Sequence, residues 1–132
     1  MTYLAGKCDC GTVRYRVPDA FEYALNCHCA SCRAATGAAF KPIAGIRRDQ
    51  VEITDGGDAL LIVGEEDDNH TRCGECGSLL FSVVREGDYV HIALGSLVDT
   101  PSIRPTAHIW VSRKAPWYEI TDDLPQFEEF PP

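Results

Sequence analysis

The cysteines constrain this chain more than any other feature of its sequence. Seven of them occur in 132 residues, and they fall into three short groups. The groups are Cys8-Asp9-Cys10, Cys27-His28-Cys29 with Cys32, and Cys73-Gly74-Glu75-Cys76. The N-terminal residues lack the apolar stretch of a secretory signal, so we expect a cytoplasmic protein whose thiols stay reduced. In that setting, closely spaced cysteines indicate metal binding rather than disulfide bonds.

The length suits one domain over residues 1–132, in which residues 119–132 form an acidic C-terminal segment. No apolar run approaches 18 residues, so the sequence predicts no transmembrane helix. The formal net charge is −8, which disfavours nucleic-acid binding because that function needs a basic surface. The acidic segment and a second acidic run at residues 65–68 are expected to be solvated loop or tail.

Apolar and polar residues alternate over several short segments, which is the pattern of half-buried strands. The turn residues 85–88 predict a hairpin between two of these strands. Residues 29–36 are rich in alanine and predict a short helix that Gly37 ends, while Pro42 predicts an edge strand or a bend. The predicted fold is therefore mainly β, with one or two helical turns. The predicted strands are residues 12–17, 21–25, 38–46, 51–54, 59–63, 79–84, 89–94 and 108–112.

Two ways of sharing the cysteines among metal sites are open. In the first, the first and last groups close one four-cysteine site, which leaves the middle group with three thiols. In the second, the middle group shares ligands with a neighbouring group. We prefer the first, because Cys8, Cys10, Cys73 and Cys76 make a complete tetrahedral set and the glycines beside Cys73 and Cys76 form a typical zinc knuckle. This site would hold the fold together.

The middle group then has three ligands, Cys27, Cys29 and Cys32. Three protein ligands with one open position are the pattern of a catalytic zinc, and water or a substrate thiol would take the fourth position. The start of the predicted helix and Arg33 would lower the pKa values of these thiols. Two alternatives stay open. His28 or a distant histidine completes the shell and makes a second structural site, or the group is metal-free and redox-active.

Several polar residues are candidates for substrate contact. Arg33 follows the third cysteine directly and is a candidate partner for a substrate carboxylate. His28 is expected to point away from the metal, in a packing or supporting role. His108 is the best candidate for a pocket wall, because Trp110 lies two residues further on the same predicted strand face. Arg47 and Arg48 are weaker candidates for holding an anionic substrate.

The cysteine motifs carry a resemblance to a known family. In chain order the motifs are C-D-C-G-T-V-R-Y, C-H-C-A-S-C-R-A-A-T-G, R-C-G-E-C-G-S, H-I-W-V-S-x-x-A-P-W and D-D-L-P-Q-F. Together they resemble the glutathione-dependent formaldehyde-activating enzyme (GFA) family, which is also described as centromere protein V-like. The resemblance extends from Cys8 to Phe127 and rests chiefly on the cysteine spacings.

The resemblance implies a zinc-bearing β-tent of antiparallel sheets with two zinc ions per chain. It places a structural zinc on Cys8, Cys10, Cys73 and Cys76, and a second, labile zinc on Cys27, Cys29 and Cys32. It also implies a carbon–sulfur lyase or synthase that joins glutathione and formaldehyde into S-hydroxymethylglutathione. The expected partners are therefore a small thiol and a small aldehyde.

Two other functions use the same residues. A non-catalytic thiol or glutathione carrier would bind a thiol at the open zinc without accelerating a reaction. A structural zinc module that binds a protein partner would have a closed second site and no affinity for thiols. Saturable rate enhancement that is lost in Cys29→Ser would distinguish the enzyme from both.

Overall fold

Alternation of buried and exposed residues organises the strands of this protein. The structure is a computed structural model and describes residues 1–131. Strands in this range are β1 (Tyr3–Lys7), β2 (Arg14–Pro18), β3 (Tyr23–Cys27), β4 (Lys41–Arg47), β5 (Glu52–Asp55), β6 (Leu60–Glu65), β7 (Asp68–Cys73), β8 (Leu79–Val84), β9 (Tyr89–Ala93) and β10 (His108–Ile109). The helix α1 spans Ala30–Thr36, and 3₁₀ turns lie at Arg48–Gln50, Gly57–Ala59, Arg85–Gly87, Leu94–Ser96 and Val111–Arg113.

The strands form two sheets. The smaller sheet has the order β1-β2-β5, and the larger has the order β10-β3-β4-β9-β8-β7-β6. Neighbouring strands are antiparallel except β10, which runs parallel to β3. The prediction of a mainly β fold with a single short helix is confirmed, and the expectation of antiparallel sheets holds apart from this one pair.

The main core joins the two sheets. Leu4, Tyr15 and Val17 from the small sheet pack in one cluster with residues of the large sheet such as Val90 and Ile92. Each of these five side chains is at most 3% exposed. Burying apolar side chains of this size stabilises a fold by roughly 1.5–3 kcal/mol each. We call the side of the large sheet that faces this core its inner face.

The opposite, outer face of the large sheet carries polar side chains. His70, Ser82 and His91 are cross-strand partners on β7, β8 and β9. Their neighbours along these strands, including Val83 and Val90, belong to the main core. Because side chains alternate between the faces of a strand, the polar residues lie on the outer face. A second, smaller apolar cluster lies beside them and contains Cys27, Cys32 and Ile109, packed against Leu25, Cys29, Trp110 and Phe127.

Several local predictions are confirmed. β8 and β9 form the predicted hairpin, and α1 ends at Gly37, whose backbone adopts the left-handed conformation with φ 63°. Of the two alternatives predicted for Pro42, the edge strand was wrong, because β4 lies centrally between β3 and β9. The proline is tolerated there since the ladder between β4 and β9 begins only at Ile43. Strands β1 and β7 were not predicted.

The acidic C-terminal segment is not a free tail over its described part. His108 donates its backbone N–H to the Pro125 carbonyl, and Phe127 donates in return to the His108 carbonyl, both at 2.9 Å. The acidic side chains Asp122 and Glu128 remain exposed, as predicted. The acidic run at residues 65–68 is also exposed, at the tip of the β6–β7 hairpin. Among residues 1–131, none of the helices is long and apolar enough to cross a bilayer.

Candidate metal centres

The first and last cysteine groups meet in space. Cys8 follows β1 of the small sheet, and Cys73 is the last residue of β7 in the large sheet. With Cys10 and Cys76 they form what we call the four-cysteine cluster, in which all four sulfurs lie within 4.8 Å of one another. The cluster therefore brings residues of both sheets together, and its members are the four cysteines that the ligand count groups into one site.

The spacing of the four-cysteine cluster fits a tetrahedral thiolate site. Zinc–sulfur bonds of about 2.3 Å in tetrahedral geometry place the sulfurs roughly 3.8 Å apart. The observed Sγ–Sγ distances are 3.6 Å for Cys8 and Cys10 and 3.8 Å for Cys10 and Cys73. Backbone N–H groups of Val13 and Glu75 donate to the Cys8 and Cys73 sulfurs at 3.2 and 3.3 Å. Such bonds stabilise thiolates and orient them as ligands.

The middle group forms a second cluster, which we call the three-cysteine cluster. Cys27 ends β3, Cys29 is the N-cap residue of α1, and Cys32 lies in the first turn of the helix. Their sulfurs also lie within 4.8 Å of one another. The backbone N–H of Cys32 donates to the Cys29 sulfur at 3.2 Å, so the start of the helix fixes the position of that sulfur. This cluster too could hold a metal ion.

The three thiols interact strongly enough to separate their pKa values. Hydrogen bonds from Cys27, and then from Cys32, lower the pKa of Cys29 to about 2, and the Lys41 charge acts in the same direction. The pKa of Cys27 is raised, chiefly because its thiol donates to Cys29. These contacts therefore favour the thiolate form of Cys29, which is the form that binds metal.

The three-cysteine cluster opens into a cavity of about 350 Å³ on the outer face of the large sheet. Lys41 and Ser82 line it, and the Lys41 ammonium donates to the Ser82 hydroxyl at 2.7 Å. His70 continues this network, because its Nδ1 lies 2.7 Å from the Ser82 hydroxyl and its Nε2 lies 3.0 Å from the Ser31 hydroxyl. Burial lowers the pKa of His70, which favours the neutral ring. The cavity therefore combines thiols with a connected set of hydroxyl, imidazole and ammonium groups.

His91 lies on the floor of the same cavity. Its Nε2 is 2.7 Å from the Tyr23 hydroxyl, and the two rings meet edge to face. The tyrosine ring reaches this position by crossing Gly45, where an added Cβ would lie 2.2 Å from the Tyr23 Cζ atom. Burial lowers the pKa of His91 to about 4, with help from the charges of Lys41 and Arg85. The ring is therefore neutral at pH 7.

The residues expected to contact substrate lie elsewhere. His28 is fully buried, packs against the Phe40 ring, and has its Nε2 2.8 Å from the Nδ1 of His108. His108 bonds in turn to the exposed Asp122 carboxylate at 2.9 Å. Neither histidine lines the cavity, and neither does Arg33, whose Nε is buried without a hydrogen-bond partner.

The expectation that His108 and Trp110 share a strand face was wrong. β10 ends at Ile109, and Trp110 adopts the left-handed conformation with φ 56°, so the alternation stops there. Trp110 lines the cavity, whereas His108 is 1% exposed behind it. Arg47 and Arg48 are also distant from the cysteines, because they lie at and beyond the other end of β4.

Sequence reasoning missed the polar network of the cavity. Lys41, Ser82 and His70 come from three different strands and share no sequence motif. The antiparallel register of β3 and β4, which the sequence does not reveal, places Lys41 directly opposite Cys27. Residues opposite each other in an antiparallel pair present their side chains on the same face.

The fold and the site define a class of protein: a mainly β domain with two cysteine clusters suited to metal ions. The family model for the glutathione-dependent formaldehyde-activating enzyme matches residues 3–113. That match covers most of the chain, and the chain belongs to this family.

Curated relatives carry the same description. A protein of Halomonas elongata named "Putative glutathione-dependent formaldehyde-activating enzyme" is 30% identical over 127 residues, which cover 89% of this chain and 80% of the relative. A protein of the same name from Pyrenophora teres f. teres is 34% identical over 103 residues, which cover 70% of this chain. The matched part spans about half, 54%, of that second relative.

A solved structure supports the fold. The crystal structure of a Rhodobacter sphaeroides protein from the Northeast Structural Genomics programme superposes with a TM-score of 0.60 at 21% sequence identity. The superposition covers 74% of this chain and 91% of the other chain. At this identity the likeness concerns the fold alone.

Proposed function

We propose that this protein is a zinc-dependent enzyme that forms or cleaves the carbon–sulfur bond of a thiol–aldehyde adduct. Glutathione and formaldehyde, the compounds in the family name, are the proposed thiol and aldehyde. The observation that carries the proposal is the contrast between the two clusters. One has four cysteines, while the other has three and opens into a cavity.

The donor sets of both clusters fit zinc. Cys8, Cys10, Cys73 and Cys76 would hold a structural zinc, and Cys27, Cys29 and Cys32 would hold a second zinc with one position free for a ligand. A zinc bound there would keep an incoming thiol in its thiolate form at neutral pH. Two zinc ions per chain follow from this proposal.

The reaction needs no further reactant. The thiol sulfur forms a bond to the carbonyl carbon, the π electrons of the carbonyl move to its oxygen, and that oxygen takes a proton to become a hydroxyl. The thiol proton leaves, so the overall change is an addition. The Ser82 and Ser31 hydroxyls with the neutral His70 ring form a connected set of hydrogen-bonding groups at the cavity, suited to carrying that proton.

The proposal also covers the compartment of the protein, the bounds of its domain and its partners. Seven unpaired cysteines stay reduced in the cytoplasm, so we place the protein there. We treat residues 1–132 as one domain, because the acidic C-terminal segment is bonded to β10 over its described part. A small thiol and a small aldehyde are the proposed partners, with no role for nucleic acid or a membrane.

The test is adduct formation measured against the spontaneous reaction, since formaldehyde also adds to thiols without an enzyme. We expect saturable acceleration by the zinc-loaded protein and its loss in Cys29→Ser. The matched control is Ala30→Ser, an exposed neighbour on α1, which should retain the activity.

Other outcomes separate the alternatives. Tight glutathione binding without acceleration would replace the enzyme with a thiol carrier. Zinc content of one or two ions that is indifferent to glutathione and to mild chelator would leave a structural module for protein interaction. Zinc per chain, measured by elemental analysis before and after adding glutathione, is therefore the companion measurement.

A further inference from the structure

Lys41 is a buried cation that the family motifs do not include. Its side chain is 3% exposed, and its ammonium donates to Ser82, a neutral partner. The residue lies opposite Cys27 in the β3–β4 ladder and lines the cavity that all three cysteines of the three-cysteine cluster also line.

No carboxylate within ion-pair distance balances this charge. Among residues 1–131, the ion pairs are Arg16 with Glu52 and His108 with Asp122. Asp68 lines the cavity but is exposed and makes no ion pair with Lys41. Burying a charge without an opposite charge is costly, so a fold that retains one is expected to supply a balancing charge. Apart from the exposed Asp68, the acidic groups that line this cavity are the three thiols.

We infer that Lys41 is the counter-ion of the three-cysteine cluster, and that its charge raises the affinity of the cluster for a metal dication and for an anionic thiolate as fourth ligand. The inference rests on the proposed function for the identity of the fourth ligand. Lys41 acts through the charge of the cluster, so it is a positioning residue rather than a catalytic one.

The charge count explains why such a residue is useful here. Three thiolates around a dication leave a net charge of −1, and an added thiolate makes it −2. Cys27 and Cys32 are buried, so water stabilises this surplus charge poorly. The nearby ammonium reduces it by one unit.

The four-cysteine cluster offers a comparison within the same chain. Four thiolates around a dication also carry a net charge of −2. In that cluster Cys10 and Cys76 are exposed to solvent, and backbone N–H groups donate to the two buried sulfurs. Solvent and amide bonds offset the surplus charge there. In the three-cysteine cluster two of the sulfurs are buried, and the Lys41 ammonium adds to backbone N–H bonds such as that from Cys32 to Cys29.

The test uses Lys41→Met, with Lys7→Met as the matched control because Lys7 is exposed at the end of β1. Cobalt(II) binding is followed by its thiolate charge-transfer absorption, and the contribution of the three-cysteine cluster is isolated by subtracting the spectrum of Cys29→Ser. Affinity is measured by competition with a chelator, with and without glutathione, so the readout does not depend on turnover.

We expect Lys41→Met to weaken cobalt binding at the three-cysteine cluster by on the order of tenfold to a hundredfold, the effect of one unit charge across a small, partly desolvated cavity. Glutathione affinity of the cobalt protein should fall as well. The metal-free variant should unfold within about 10 °C of the metal-free wild type, because removing the buried ammonium relieves its desolvation but also removes the counter-charge of the cluster. Lys7→Met should match the wild type, and Lys41→Arg should retain most of the affinity.

Three results would overturn the inference. They are a cobalt affinity of Lys41→Met within twofold of the wild type, an equal loss in Lys7→Met, or a metal-free Lys41→Met that unfolds more than about 10 °C below the metal-free wild type. If Lys41→Met does not fold, Lys41→Gln takes its place under the same criteria. If glutathione leaves the cobalt spectrum of the wild type unchanged, the proposed function is refuted instead. The effect of Lys41 on metal affinity is tested separately, by the comparison of Lys41→Met with the wild type.

Discussion

His91 makes the stability of the folded protein depend on pH. Its pKa is lowered to about 4 in the fold, chiefly by burial, from the ordinary value of 6.5. In acid the unfolded chain therefore binds a proton at this residue that the folded chain does not bind. The contribution of His91 to stability is fully present above pH 6.5 and is lost as the pH falls from there toward 4.

The magnitude follows from these two pKa values. Between pH 7 and pH 5, protonation of the ring in the unfolded chain lowers the free energy of unfolding by up to about 2 kcal/mol. For a domain of this size that corresponds to roughly 6–10 °C in melting temperature. Replacing the ring with a side chain that does not titrate should remove this part of the acid sensitivity.

The assay compares melting temperatures at pH 7 and pH 5 for wild type, His91→Gln and Tyr23→Phe. His91→Gln keeps a group able to bond the Tyr23 hydroxyl, and its melting temperature should fall less on acidification than that of the wild type. Tyr23→Phe removes the same hydrogen bond but keeps the titrating ring, so it should retain the full pH dependence. All three proteins hold the same cysteines, so acid release of metal is common to them and cancels.

Equal losses of melting temperature in wild type and His91→Gln would refute the reasoning. They would mean that the ring of His91 is protonated in the folded protein as readily as in the unfolded chain.

Two substitutions test other parts of the fold. Cys73→Ser removes one proposed ligand from the four-cysteine cluster, which joins the two sheets. We expect elemental analysis to show one zinc fewer and the melting temperature to drop by more than about 10 °C. An unchanged melting temperature would show that the cluster does not hold the sheets together. Gly45→Ala would place a Cβ 2.2 Å from the Tyr23 Cζ atom and force the ring away from His91, at a cost of about 1–3 kcal/mol in chemical denaturation. Most of that cost should disappear in a Tyr23→Ala background, and additive effects of the two substitutions would contradict the assigned contact.

The parts of the fold that could be predicted are those that short stretches of the sequence specify by themselves. The β8–β9 hairpin has strongly apolar strands around a turn, and α1 has a glycine at its end. The grouping of the cysteines followed from counting ligands, and it matches the two clusters that the structure forms.

The strands that sequence reasoning missed are fixed by tertiary contacts. β7 is polar up to its last residue, Cys73. Its inward residues Asn69 and Thr71 bond to each other at 2.8 Å instead of presenting an apolar face. β1 contains Gly6, where a Cβ would lie 2.0 Å from the Tyr15 ring. Only a glycine at this position leaves room for the ring, which comes from β2. Periodicity alone detects neither arrangement.

The grouping of the cysteines was predicted from the sequence, whereas the residues around the three-cysteine cluster were missed. The spacing of the cysteines is a local signal that is visible in the sequence. Lys41 and Ser82, in contrast, reach the cavity only because the register of the large sheet places them there. The sequence likewise suggested an arginine at the site, but Arg33 does not line the cavity, although it directly follows Cys32 in the chain.

The two cysteine clusters lie in different parts of the fold, and this separation has a consequence for which residues can change. The four-cysteine cluster and the main core lie between the sheets, while the three-cysteine cluster and its cavity lie on the outer face of the large sheet. Substitutions at positions that line the cavity, such as Ser31 or Val63, can alter its shape without disturbing the apolar contacts that hold the sheets together. The shape of the cavity and the packing between the sheets can therefore change almost independently of each other.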